Sequence, residues 1–158
     1  MTPAQILILL ALTIFAVYRQ SIRHELNGRA RFKLALIYAI VGAAAGGLLM
    51  PPDARAWLAF VISIGASLAV GLARARLTRL EIDASGRIFS QGTSASIGLF
   101  LLLIAAKYAW GTWEYVHNDH PHGGFGEILL MIAAMVAVQA EVVWRRALAL
   151  RAATLARG

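Results

Sequence analysis

The sequence predicts an all-α membrane protein of five transmembrane helices, N-terminus outside and C-terminus inside, with a short β-hairpin at the cytoplasmic surface. Three observations predict it. Of the 158 residues, 59% are hydrophobic and the mean hydropathy is +0.68, whereas a soluble domain is about 45–50% apolar. The excess is gathered into five runs, 3–18, 34–50, 56–73, 95–113 and 125–144, each near the ~20 residues that cross a hydrocarbon core of ~30 Å as a helix. Lysine and arginine fall on one side of those runs: five in 19–33, four in 74–92 and four in the tail, 13 of the 15 in all. Only Arg55 lies on the other side, and Lys107 lies inside a run. This is the positive-inside pattern. One integral membrane domain, 1–158, accounts for the chain.

The first run lacks the basic leader of a secretory signal, and its positive charges follow it (Arg19, Arg23, Arg29, Arg31, Lys33). It therefore reads as a retained span with its N-terminus outside. Pro51 and Pro52 stop the second run, and Trp57 opens the third at headgroup level. Small residues four apart mark both runs: Gly42 and Gly46 in the second, Ser63, Ser67 and Gly71 in the third. Such spacing lets helices approach closely in lipid and predicts that these two pack together. Trp110 and Trp113 mark the outer end of the fourth run and Trp144 the inner end of the fifth. After Trp144, the tail ALALRAATLARG either continues the helix or lies along the inner leaflet.

Between the third and fourth runs, Leu80, Ile82, Ile88 and Phe89 alternate with polar residues around Asp83-Ala84-Ser85-Gly86. Asp at the first turn position and Gly at the fourth predict a type I turn, and hence a hairpin near 78–91. Two strands alone are marginal, so these side chains need helix ends, headgroups or a partner to rest on.

The net charge of +7 reports topology and contact with anionic inner-leaflet headgroups rather than nucleic acid, because the cations sit at span ends. With no cysteine, the chain itself supplies no thiol–disulfide exchange, thioether-linked haem or thiolate-held cluster.

Two candidate sites stand out. Lys107 lies six residues before Trp113, roughly 9 Å below the outer end of its helix. An ionisable residue at that depth either snorkels, pairs with Glu114 or Glu127 as a clamp between the fourth and fifth spans, or serves ion movement or an anionic ligand. In WEYVHNDHPHGGFGE, 113–127, three histidines fall within six positions: His117, His120 and His122, with Asp119 between them. Imidazoles at that spacing can hold a divalent transition metal with a carboxylate completing the set, although the pattern matches no strong zinc signature. The competing reading is a polar outer loop with no ligand. Glu141 and Arg145 are placed for an i, i+4 helix pair, and His24 is expected in a solvated loop.

The stretch GLARARLTRLEIDASGRIFSQGTSASIGLFLLLIAAKYA, residues 71–109, resembles the CcdC-like family of small bacterial membrane proteins. It shares a span ending in small residues and arginines, a D-x-x-G-R hairpin, a G-T and a further span. The resemblance implies a fold in the bacterial inner membrane, and it implies no catalytic residue. Absent a nucleophile–base pair, a phosphate loop or paired intramembrane carboxylates, the expected role is a non-enzymatic accessory or assembly subunit. Such a subunit would associate with itself through its small-residue faces or with a membrane protein partner. The alternative is a small metal- or anion-binding or transport protein using the histidine loop and Lys107.

Overall fold

The structure, a computed structural model of the chain, describes residues 32–47, 54–83, 87–117 and 124–156, together with 7, 11, 13–15, 17, 18, 22 and 24–26. The described residues between 7 and 18 are helical; the remainder of the first predicted span lies outside the described residues. Four longer helices follow: α1 (Lys33–Gly42), α2 (Ala54–Leu77), α3 (Ser94–His117) and α4 (Phe125–Leu155). Strands β1 (His24–Glu25), β2 (Arg79–Ile82) and β3 (Ile88–Gln91) form one small sheet.

Three of the helices are long and apolar enough to cross a membrane, over Ala56–Leu77, Ser94–Trp113 and Phe125–Thr154. At 1.5 Å per residue the last is ~45 Å long, well beyond a ~30 Å hydrocarbon core. The tail therefore continues the fifth predicted span as helix, carrying Arg145, Arg146 and Arg151 past its apolar part. The second predicted span is interrupted within its described residues. α1 runs on as a π-helical turn, Ala43–Gly47, inside which Gly46 takes φ 85° and breaks the helix. Residues 48–50 lie outside the described ones.

Helix α4 is the hub. Of its apolar window 44% is buried, against 17% for α2 and 11% for α3. Phe125, Ile128, Leu129, Ile132 and Met135 of α4 form the core with Tyr38 of α1 and Phe100 of α3. The glycines show why. A Cβ at Gly42 would stand 3.0 Å from the carbonyl oxygen of Gly126, and one at Gly71 would stand 2.6 Å from that of Met135. Gly126 in turn lies against the backbone of Gly42 and Gly47. The predicted packing of the second and third spans on each other is thus corrected: their small-residue faces each meet α4. Gly46 is a bend, and Gly126, at the start of the fifth run, is a packing residue inside a helix. Elsewhere the outward faces are apolar, with Leu36, Ile40, Leu58, Val61, Leu102 and Trp113 all exposed.

The predicted hairpin is present, with Arg79 opposite Gln91 and Ile82 opposite Ile88; residues 84–86, and so the turn type, lie outside the described residues. The sheet also has a third strand. His24 and Glu25 pair antiparallel with Ser90 and Phe89, and Leu26 N–H donates to the Ile88 carbonyl at 2.9 Å. His24, expected in a solvated loop, is therefore part of a strand. The third strand supplies much of the support that a bare hairpin lacks. It also brings the segment before α1 to the same end of the bundle as the segment between α2 and α3.

At that end the last turn of α2 leaves carbonyl groups without intrahelical partners. Arg146 of α4 fills the need: its Nη1 donates to the carbonyls of Ala75, Arg76 and Thr78. A cation at a helix C-terminus is also favoured by the helix dipole. Helix α3 starts with its own cap, Ser96 N–H donating to Thr93 Oγ1 at 3.3 Å.

Candidate functional site

Two inward-turned cations organise the interior, half-buried Lys107 toward one end of the bundle and buried Arg74 toward the other. Lys107 is ten residues before the last residue of α3, hence ~15 Å inside that end of the helix. Its Nζ lies 2.6 Å from Glu127 Oε1, and both side chains are 11% exposed. The ammonium therefore does not snorkel; it is held inward by α4. A second bond runs from Nζ to Ser63 Oγ of α2 at 3.2 Å, so three helices meet at one nitrogen. Glu127 sits in the first turn of α4, where the exposed peptide N–H groups and the helix dipole favour a carboxylate. That first turn is itself buried, because Gly42 and Gly47 pack against Gly126. The short, kinked α1 and the deep start of α4 thus together place a carboxylate at the level of Lys107. Glu114, the other predicted partner, belongs to α3, and its side chain lies outside the described residues.

Beside the pair lies a cavity of 240 Å³ between α2 and α3, closed at the back by Met131 of α4. Alanines (Ala59, Ala66, Ala106) make room for it, and Ser63 and Lys107 are the polar residues in its wall. Its rim residues Ile62 and Trp110 are 61% and 53% exposed, so the cavity opens sideways on the apolar flank of the bundle. A second space, of 540 Å³, is an all-apolar groove between α1 and α2 over alanines of α4.

The other cation is Arg74, which the hydropathy pattern assigned to the basic loop after the third span. It is fully buried. Its Nε donates to Ser96 Oγ at 3.3 Å, its Nη1 approaches Met135 Sδ at 3.2 Å, and its guanidinium lies 4.9 Å from the Phe100 ring centroid. Nη2 has no partner among the described residues. A helical signal for this burial exists in the sequence. Ser67, Gly71, Arg74, Ala75 and Thr78 recur at the spacing of one helix face, and all five are buried.

Of the histidine loop, Asp119, His120 and His122 lie outside the described residues. His117 ends α3, stacked on Trp113 at 4.8 Å. Its Nδ1 is 2.9 Å from the Trp113 carbonyl; a carbonyl only accepts, so this nitrogen is the donor. No group of three or more metal-ligating side chains occurs among the described residues. Glu141 and Arg145 form the i, i+4 pair at 2.7 Å.

No protein-family model matches the chain, and no match was found to a curated protein or a solved structure.

Proposed function

We propose that this chain is an integral protein of the bacterial inner membrane that acts as an accessory or assembly subunit, without chemistry of its own. The observation that carries the reading is the division of the bundle's surfaces. Three charged groups of the long apolar helices, Lys107, Glu127 and Arg74, are turned inward and bonded to neighbouring helices, while most of the other charges of these helices gather toward the end that carries the sheet. The outward faces of α1, α2 and α3 are left apolar and uncovered, free for lipid or for another membrane helix. A bundle of four or five helices with so much of α2 and α3 uncovered suits a partner better than isolation. The resemblance of residues 71–109 to the CcdC-like family bears on the membrane fold and not on the role.

The orientation in this reading is N-out and C-in. It rests on charge: the sheet joins the segment before α1 to that after α2, and Arg146 joins the tail of α4 to the same end. Three basic segments thereby share one face of the membrane, which the positive-inside rule places in the cytoplasm. Because the chain has no cysteine, single introduced cysteines report topology cleanly. D119C should react with a membrane-impermeant maleimide in intact cells, and R151C only after permeabilisation; the reverse pattern overturns the orientation.

For the role itself, the test is purification from native membranes in mild detergent, followed by mass spectrometry of whatever co-elutes. A stoichiometric membrane partner or a defined homo-oligomer is the expected result. A lone monomer refutes an accessory role.

A further inference from the structure

Beyond that role, we propose that the cavity between α2 and α3 binds the ring of a bilayer-soluble quinone, with one ring carbonyl accepting hydrogen bonds from Lys107 and Ser63. The argument begins with donors. A lysine ammonium has three N–H groups, and Lys107 spends two, on Glu127 and Ser63. The Ser63 hydroxyl oxygen accepts from Lys107, and no acceptor among the described residues takes its own proton. Two unspent donors therefore sit 3.2 Å apart in the wall of one cavity, and a single carbonyl oxygen has lone pairs for both.

Charge selects the ligand class. With Glu127 Oε1 2.6 Å from Lys107 Nζ, the site is already neutral. An anion would have to share the ammonium with a buried carboxylate, and a cation would meet the ammonium itself. A neutral acceptor meets neither penalty. Size narrows the class further: an apolar cavity of about 150 Å³ holds benzene, so 240 Å³ takes one substituted six-membered ring and little more. The remaining wall, including Leu103, Ala66 and Met131, is apolar. The mouth between Ile62 and Trp110 opens on the flank, where an alkyl tail can pass straight into lipid and the indole offers a flat face to the ring. A compact ring, a neutral carbonyl and a long apolar tail together describe a lipid quinone. The proposal concerns binding alone and includes no electron transfer.

The test uses the full chain in nanodiscs, titrated with decylubiquinone and read by quenching of tryptophan fluorescence. Decanoic acid and decane serve as tail-matched competitors. Saturable quenching that neither competitor displaces is expected. A66F, which fills the cavity, should abolish the saturable phase. The double variant K107M/E127Q, which removes the donor while keeping the site neutral, should weaken binding about tenfold, the equivalent of ~1.4 kcal/mol and of one charge-assisted hydrogen bond. S63A should weaken it by a smaller factor. Each variant is first checked for a native far-UV spectrum and elution volume; S63A, the least disruptive, keeps the test decisive if A66F does not fold. Displacement by decanoic acid would make this an anion site, and displacement by decane a featureless apolar one; either overturns the proposal. So does quenching that never saturates, or that is the same in S63A and K107M/E127Q as in the parent chain.

Discussion

Removing one member of the Lys107–Glu127 pair should harm the bundle far more than removing both. At 2.6 Å and an effective dielectric constant of about 20, the attraction between unit charges is ~6 kcal/mol. Withdrawing each ion from water costs several kcal/mol, so the pair as a whole is close to break-even. A single substitution deletes the attraction and leaves the other group buried. E127Q leaves the ammonium with neutral acceptors alone, the new amide oxygen and Ser63 Oγ, and the loss of its countercharge should cost ~3–5 kcal/mol. K107M strands a carboxylate, but in the first turn of α4, where the helix terminus returns up to ~2 kcal/mol; its expected cost is nearer ~2–4 kcal/mol. The double variant K107M/E127Q replaces the pair by groups of similar volume and should lie within ~1 kcal/mol of the parent. Reversible unfolding in mixed micelles titrated with dodecyl sulfate measures all four corners of the cycle. The coupling should be at least ~3 kcal/mol. Single costs below ~1 kcal/mol that add within ~0.5 kcal/mol in the double would refute the claim that this pair is desolvated and mutually dependent.

Three further outcomes follow from the packing. G126A places a Cβ against the backbone of Gly42 and Gly47 and should destabilise by ~1–3 kcal/mol or more; G65A and G98A meet nothing within 4 Å and should be neutral or stabilising by up to ~1 kcal/mol, all read in the same unfolding assay. G46A forces a side chain onto φ 85°, which should cost ~1–2 kcal/mol and appear as lowered thermal stability in detergent without loss of helical signal at low temperature. R146M removes the cap on the last carbonyls of α2 and should cost ~1–2 kcal/mol, with faster amide exchange at 75–78. Its neighbour R145A breaks an exposed i, i+4 pair and should cost at most ~0.5 kcal/mol.

Features with a local cause were readable from the sequence. Long apolar runs placed α2, α3 and α4 to within a few residues, except where α4 outruns its apolar part. Alternation and turn chemistry placed β2 and β3, because a hairpin's register is set by residues close in sequence. Lys107 and Glu127 were flagged because a charge inside an apolar run is conspicuous. What escaped was non-local. Strand β1 is two residues long and has no period of its own; it exists only because β3 offers an edge. The glycines announced close approach but not its object, since small-xxx-small spacing says that a backbone comes near without saying whose. Arg74 was misplaced for a different reason. Hydropathy reads charge by position along the chain, and at a span's end it cannot distinguish a solvated arginine from one turned inward. The face shared by Ser67, Gly71, Ala75 and Thr78 carries that information, and only helical phase exposes it.

The placement of the two inward-turned cations explains how α3 is held. No glycine of α3 brings its backbone against α4, as Gly71 of α2 and Gly42 of α1 do, and Gly98 and Gly111 face open space. Its attachment is by side chains: Phe100 in the core, and a polar tie toward each end. Ser96 meets Arg74 of α2, and Lys107 meets Ser63 of α2 and Glu127 of α4. Ser96 and Lys107 are eleven residues apart, ~16 Å along the helix. Two ties at that separation fix both the height and the rotation of α3, which apolar contact alone leaves loose because lipid is as good a neighbour for a leucine as another helix is. Between the ties Phe100 enters the core, but on the side of α3 that faces α2 the alanines at 59, 66 and 106 leave the cavity. The cavity is therefore a consequence of how α3 is anchored, and loosening either tie should change its shape before it unfolds the bundle. R74M tests this from the far end: position 74 does not line the cavity, yet the substitution should alter decylubiquinone quenching while Ser63 and Lys107 remain intact. Unchanged quenching in a folded R74M protein would show that the Lys107 tie suffices alone.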